Sequence, residues 1–120
     1  MKRIIIVEDF NTSRQIIKRT LEKLGYMVEE ASDGREALKF FDGSPIDLVI
    51  SDYNMPNMDG GALVEYIRNK EEYKYIPILM LSTETNSEKQ NRAKEAKITA
   101  WIRKPFQIDE FSRIVEKALR

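Results

Sequence analysis

"IDLVISDYNMPNMDGG", residues 46–61, reads as a strand, a turn and the start of a helix. Ile46 to Ile50 is apolar except for Asp47, and a short apolar run of this kind suits a strand buried on both faces. The run finishes on Asp52, a proline turn follows, and Asp59-Gly60 leads into Leu63 and Ile67 at helical spacing. A carboxylate at the mouth of a buried strand is costly to desolvate unless something pairs with it. The partner of Asp52 is thus the key to what the chain does.

The same alternation extends in both directions. β-rich runs are expected at residues 3–8, 27–31, 46–51, 78–82 and 99–103. Ile17, Leu21 and Leu24 share one helix face, and Gly25 is a natural stop. Asp33 and Glu36 have capping-box spacing ahead of Ala37, Leu38 and Phe41. Ile108, Phe111, Val115 and Ala118 mark the last helix. The fourth, over 87–96, has only alanines as apolar residues and should pack thinly. Serial βα units in one domain, 1–120, imply an α/β doubly wound fold, (βα)5, with a parallel sheet and right-handed crossovers. Glu29 and Glu30 suit the second strand to an edge. The expected strand order is the flavodoxin-like 2-1-3-4-5, with a ligand crevice beside the carboxyl ends of strands 1 and 3.

Composition narrows the chemistry. Lys plus Arg and Asp plus Glu balance at 20 each in 120 residues, so no basic field argues for nucleic acid or an acidic membrane. No apolar stretch reaches spanning length, and "MKRIIIVED" meets acids too soon for a signal peptide, so a soluble cytoplasmic protein is expected. Cysteine and histidine are both absent. Thiol nucleophiles, imidazole bases, disulfides and Cys/His zinc sites are excluded together.

Under the expected topology, Glu8-Asp9, Asp52, Ser82-Thr83 and Lys104-Pro105 stand where strands 1, 3, 4 and 5 end. Carboxylates gathered in one crevice repel each other, and a hard divalent cation relieves the conflict. Mg2+ takes oxygen ligands and keeps several waters, so it fits this set, with Lys104 assisting. A carboxylate beside such charge can act as a nucleophile and form an aspartyl-phosphate. Phosphoryl transfer needs little from a protein beyond positioning and positive charge. Ser82 is placed to hydrogen-bond a phosphoryl oxygen.

"IIIVEDFNTSRQII", "LVISDYNMPNMDG", "PILMLST" and "WIRKPF" resemble, in order and spacing, the receiver domains of two-component response regulators. The resemblance runs the length of the chain. It implies that Asp52 accepts a phosphoryl group from the phosphohistidine of a sensor kinase. It implies a Mg2+ site made by Glu8, Asp9, Asp52 and the backbone carbonyl of Asn54, with Ser82 and Lys104 contacting the phosphoryl group. It also implies a cis Lys104–Pro105 bond. "LSTETNSEKQ" and "TAWIRKPF" are similar to stand-alone chemotaxis regulators of the CheY type. In that group Asn54, Thr83 and Glu84 match positions that tune access to the site and dephosphorylation, and Trp101 matches an aromatic switch that follows Ser82 inward. Partners then dock on the face of helix 4, strand 5 and helix 5. The partners implied are a CheA-like sensor histidine kinase, a target such as a flagellar switch protein, and a phosphatase. With no output domain after the fifth helix, the expected action is through protein contact.

The chain departs from the family at several positions. Glu8 stands for the common Asp, Ser82 for Thr, Thr83 for a small residue, Trp101 for Tyr or Phe, and Lys97 for a helix-ending Gly. Taken singly, Glu8, Ser82 and Lys104 have ordinary readings as strand-end polar residues, Trp101 as a sheet residue, and Asp59 as a helix cap. Met55 and Met58 read as packing around the turn. A haloacid-dehalogenase-like phosphatase needs a second acid where Asn54 stands. A flavodoxin-like carrier needs a hydroxyl-rich loop where "VEDFNTS" offers acids first. A receiver in a non-chemotaxis phosphorelay and an unphosphorylated pseudo-receiver remain as alternatives.

Overall fold

The computed structural model describes residues 1–120. Five parallel strands lie in the order β2-β1-β3-β4-β5, as the sequence implies. They are β1 (Arg3–Val7), β2 (Met27–Ala31), β3 (Leu48–Ser51), β4 (Ile78–Ser82) and β5 (Ala100–Arg103). The helices between and after them are α1 (Asn11–Lys23), α2 (Gly34–Ala37), α3 (Gly60–Arg68), α4 (Ser87–Glu95) and α5 (Ile108–Ala118). No helix is long and apolar enough to cross a membrane.

Strand side chains alternate between faces, so each central strand feeds two cores. Ile4 and Ile6 of β1 join Leu48, Ile50, Leu79 and Leu81 against Ile17 and Leu21 of α1 and Phe111 and Val115 of α5. Ile5 and Val7 join Val49 and Met80 against Leu63, Val64 and Ile67 of α3 and against Phe41 and Tyr73. Met55 and Met58 pack on this second core, as read from the sequence. The central sheet is therefore apolar throughout, and polar side chains collect where the strands stop.

Asp47, the one polar interruption before β3, has a specific use. Its Oδ2 accepts from the Arg3 backbone N–H at 2.8 Å, so a side chain completes the ladder and the strand starts at Leu48. Thr99 does the same for β5, its Oγ1 accepting from the Ile78 N–H at 3.2 Å. The edge strand β2 carries Glu29 bound to Arg3 and Glu30 bound to Arg14 and Lys18. Those charges leave the edge unattractive to another strand.

The second helix is shorter than its spacing implies. Asp33 caps it by accepting from the Glu36 N–H at 2.7 Å, but the Glu36 carboxylate takes the Ser32 hydroxyl instead of closing a capping box. The helix gives way after Ala37 to a 3-10 turn over Leu38–Phe40. The tighter turn delivers Phe41 edge-on to Tyr73, with ring centroids 5.3 Å apart. The Tyr73 hydroxyl accepts from the Gly43 N–H at 2.8 Å and donates to the Ser44 carbonyl at 2.7 Å. Tertiary contacts here override helical periodicity.

Helix α4 buries only Ala93, consistent with its composition. Its end does form a left-handed turn without glycine: Lys97 has φ 62°. That conformation costs an ordinary residue roughly 1–2 kcal/mol. The Arg68 guanidinium offsets it by donating to the carbonyls of Ala96, Lys97 and Tyr73 at 3.0–3.1 Å.

Candidate functional site

Register decides what meets at the sheet's carboxyl edge. Val7 of β1 pairs with Ser51 of β3, so the next residues on both strands are neighbours. The Asp52 N–H donates to the Val7 carbonyl at 2.9 Å, and the Glu8 N–H to the Ala31 carbonyl at 3.1 Å. One carboxylate oxygen from each of Glu8, Asp9 and Asp52 lies within 4.8 Å of the others. Lys104 follows β5 and reaches across the edge, its Nζ donating to Asp52 Oδ2 at 3.2 Å and also to Glu8 Oε1. The other Asp52 oxygen accepts from the Tyr53 N–H at 2.6 Å. The Lys104–Pro105 peptide is cis.

These acids differ in setting. Glu8 is only 2% exposed, whereas Asp9 is open to solvent. Burial pushes the Glu8 carboxyl above the usual carboxylate range, with Lys104 pulling against it. Burial alone would lower the Lys104 ammonium, but its hydrogen bond to Glu8 and the charge of Asp52 outweigh that and raise it. The lysine therefore stays charged beside Asp52. The donor set is all oxygen and gathered around one point, which suits a hard divalent cation rather than a soft one.

A cleft of about 720 Å³ opens over the acids, lined by Asp9, Asp52, Asn54, Thr83 and Lys104 among others. Ser82 stands behind it: fully buried, its hydroxyl accepts from the Glu84 N–H at 3.1 Å. The Asn54 side chain donates to Glu84 Oε1 at 3.1 Å, and Lys89 Nζ donates to the same oxygen at 3.0 Å. Bonds from the Asn86 N–H, Lys89 and Asn54 hold the Glu84 carboxyl at a pKa of about 2. Trp101 is half-buried and lies away from the acids, against Tyr53 at 5.8 Å between ring centroids. Asp59 is a helix cap, its Oδ1 accepting from the Ala62 N–H at 2.8 Å.

Two features escaped the sequence. Tyr53, next to Asp52, is buried and packs under α4, and the glycine pair after Asp59 is the signal for the space it needs. The cleft's mouth also carries an apolar rim of exposed Phe10, Ile16 and Ile108.

The family model for the response regulator receiver domain matches residues 4–116. The chain belongs to that family. This receiver domain is 41% identical over 105 residues to chemotaxis protein CheY-3 of Vibrio cholerae, covering 87% of this chain and 81% of that one. Its fold matches the crystal structure of V. cholerae CheY4 with a TM-score of 0.91 at 40% identity, over 99% of both chains. It also matches response regulator TrrA of Thermotoga maritima, solved in complex with Mg2+ and BeF, at TM-score 0.85 and 34% identity, over 99% and 100% of the two chains. The receiver is thus of the CheY type.

Close packing under Asp52 is testable in the receiver. A Cβ on Gly60 would stand 2.5 Å from the Asp52 carbonyl oxygen and 2.8 Å from the Tyr53 Cα, both backbone atoms that cannot rotate away. Gly60→Ala is expected to lose about 2 kcal/mol of stability in urea unfolding. An unchanged midpoint would mean that the turn and α3 do not approach this closely.

Proposed function

We propose that this chain is a phosphorylation-controlled signalling switch of the chemotaxis type, with Asp52 accepting a phosphoryl group from the phosphohistidine of a sensor histidine kinase. The observation that carries the reading is the meeting of Glu8, Asp9 and Asp52 oxygens within 4.8 Å, under a lysine bonded to Asp52. An Asp52 carboxylate oxygen attacks phosphorus, and the phosphorus–nitrogen bond of the donor breaks with its electron pair returning to the imidazole. Later, water attacks the same phosphorus and releases inorganic phosphate and free carboxylate. Glu8, Asp9, Asp52 and the Asn54 carbonyl would hold Mg2+, which supplies charge to offset that of the phosphoryl oxygens.

The chain's own groups do the rest. Lys104, already charged and within reach, turns from the carboxylates to a phosphoryl oxygen. Ser82 uses its hydroxyl as an acceptor toward Glu84, which leaves its proton for a second phosphoryl oxygen. Drawing Ser82 toward the phosphoryl group makes room for Trp101, and the face of α4, β5 and α5 changes for a downstream protein such as a flagellar switch component. Thr83, Asn54 and Glu84 stand around the acceptor, where they govern access of water and hence the lifetime of the signal. The apolar rim beside the acids favours a protein donor over a small, fully hydrated one.

The test uses acetyl phosphate with Mg2+, intact-protein mass and Trp101 fluorescence. The expected result is a gain of one phosphoryl group, placed on Asp52 by peptide mapping, with a change in emission that chelation of the metal prevents. An unmodified protein with steady emission in Mg2+ would overturn the reading.

A further inference from the structure

Helix α4 is fastened to the molecule chiefly by polar contacts: Arg68 holds its C-terminal end, Lys89 and Gln90 bond to Glu84, and Arg92 ties its body to α3. Arg92 Nε and Nη2 donate to the two carboxylate oxygens of Glu65 on α3 at 2.9 and 2.7 Å, a planar fork. Its remaining nitrogen, Nη1, lies 3.5 Å from Asp59 Oδ1 and 3.5 Å from the Tyr53 hydroxyl oxygen. Tyr53 links this fork to the site and to the switch surface. Its backbone N–H is on Asp52, and its ring lies against Trp101. Lys89 sits 5.7 Å from the ring centroid while holding Glu84. Space for the arrangement comes from Gly61, where a Cβ would stand 2.8 Å from the Tyr53 hydroxyl oxygen and 3.0 Å from Arg92 Nη1. Tyr53, Gly61, Glu65 and Arg92 therefore fit as a set.

We infer that Arg92 is a latch that clips α4 to α3 in the unphosphorylated protein, and that its strength sets how readily the Trp101 face responds when Asp52 is modified. The inference rests on the phosphorylation reading for its second half. Trp101 shares a hollow with Gln90, Asn91 and Lys94 of α4, and its ring lies against Tyr53. An inward turn of the indole therefore presses on the middle of α4, where Arg92 sits. Ala93 is the only buried residue of α4, so little apolar packing opposes a shift of the helix and the Arg92 fork to Glu65 stands directly against it. A contact made only in the resting state opposes every ligand that favours the other state, by the same factor for each.

The experiment compares wild type with Arg92→Gln, Glu65→Gln and the double variant. Beryllofluoride is titrated in Mg2+ with Trp101 emission as readout, and amide hydrogen exchange of α4 is measured with no phosphodonor. Each single variant is expected to bind beryllofluoride about twofold to fivefold more tightly, the range for releasing a partly exposed ion pair. Exchange across α4 should speed up, and the double variant should go no further than either single one. Urea unfolding separates this from general weakening, because a merely structural ion pair would lower stability and leave the titration midpoint in place. Wild-type midpoints in both single variants, or additive shifts in the double, would overturn the latch. If wild type itself ignores beryllofluoride, the phosphorylation reading fails. The exchange data then judge the clip between helices alone, and unchanged exchange in Arg92→Gln overturns it.

Discussion

Asp52→Asn is expected to abolish acyl-phosphate formation while leaving the fold intact. The amide keeps the shape and the bond from the Tyr53 N–H, but it is no nucleophile toward phosphorus. The same change alters stability in a way that depends on the metal. In chelator, the substitution removes repulsion from Glu8 and Asp9 and loses attraction to Lys104. Two relieved repulsions outweigh one lost attraction, so a gain of about 1 kcal/mol is expected. With Mg2+ at a hundredfold excess over its dissociation constant, wild type should gain about 2.7 kcal/mol by mass action. Asp52→Asn should gain much less, so the two melting curves change order on addition of the ion. Phosphorylation of the variant at the wild-type rate would point to a different acceptor.

Lys104→Met is the second large effect. The methionine keeps an unbranched stem as far as Cε but leaves Glu8 buried without its cation. Removing one partner from a buried pair typically costs about 3 kcal/mol or more. Phosphorylation should slow about a hundredfold, the usual cost of losing one preorganised positive group at the transferring oxygens. The stability loss has a definite pH dependence in chelator. Burial already raises the Glu8 carboxyl, and without the lysine only the bond from the Phe10 N–H opposes that rise. Between the ordinary carboxylate range and the raised value, folded protein holds more protons than unfolded. Stability of the variant therefore falls as pH rises through that window and recovers on acidification, when Glu8 becomes neutral. A loss that is flat across acidic pH would mean that Glu8 is not the group left stranded. Urea unfolding at several pH values distinguishes the two.

The sheet order was legible because buried parallel strands leave short, almost uninterrupted apolar runs, and this chain has them in series with helices. Finer boundaries were not. Asp47 looked like a flaw in a strand, and only the pairing with Arg3, far away in sequence, makes it the strand's first rung. The second helix broke early because Phe41 and Tyr73 meet, a contact that no local pattern announces. At the site, the strand-end residues could be named from the sequence but not their depths. Glu8 reads as an open strand-end acid until Lys104 closes over it. Ser82 reads as lining the cleft, whereas its hydroxyl lies behind the wall on the Glu84 amide. Arg92 gave no sign at all. It is one more charge on a charged helix until Glu65, Asp59 and Tyr53 converge on it.

Helix α4 rests on the molecule through polar side chains and a single alanine. Sliding such a helix uncovers little hydrocarbon beyond Ala93 and part of the Tyr53 ring, and the heat capacity of a transition grows with the hydrocarbon it exposes. The equilibrium between its two placements should therefore vary little between cold and warm surroundings, even while the stability of the whole domain follows its usual curved dependence on temperature.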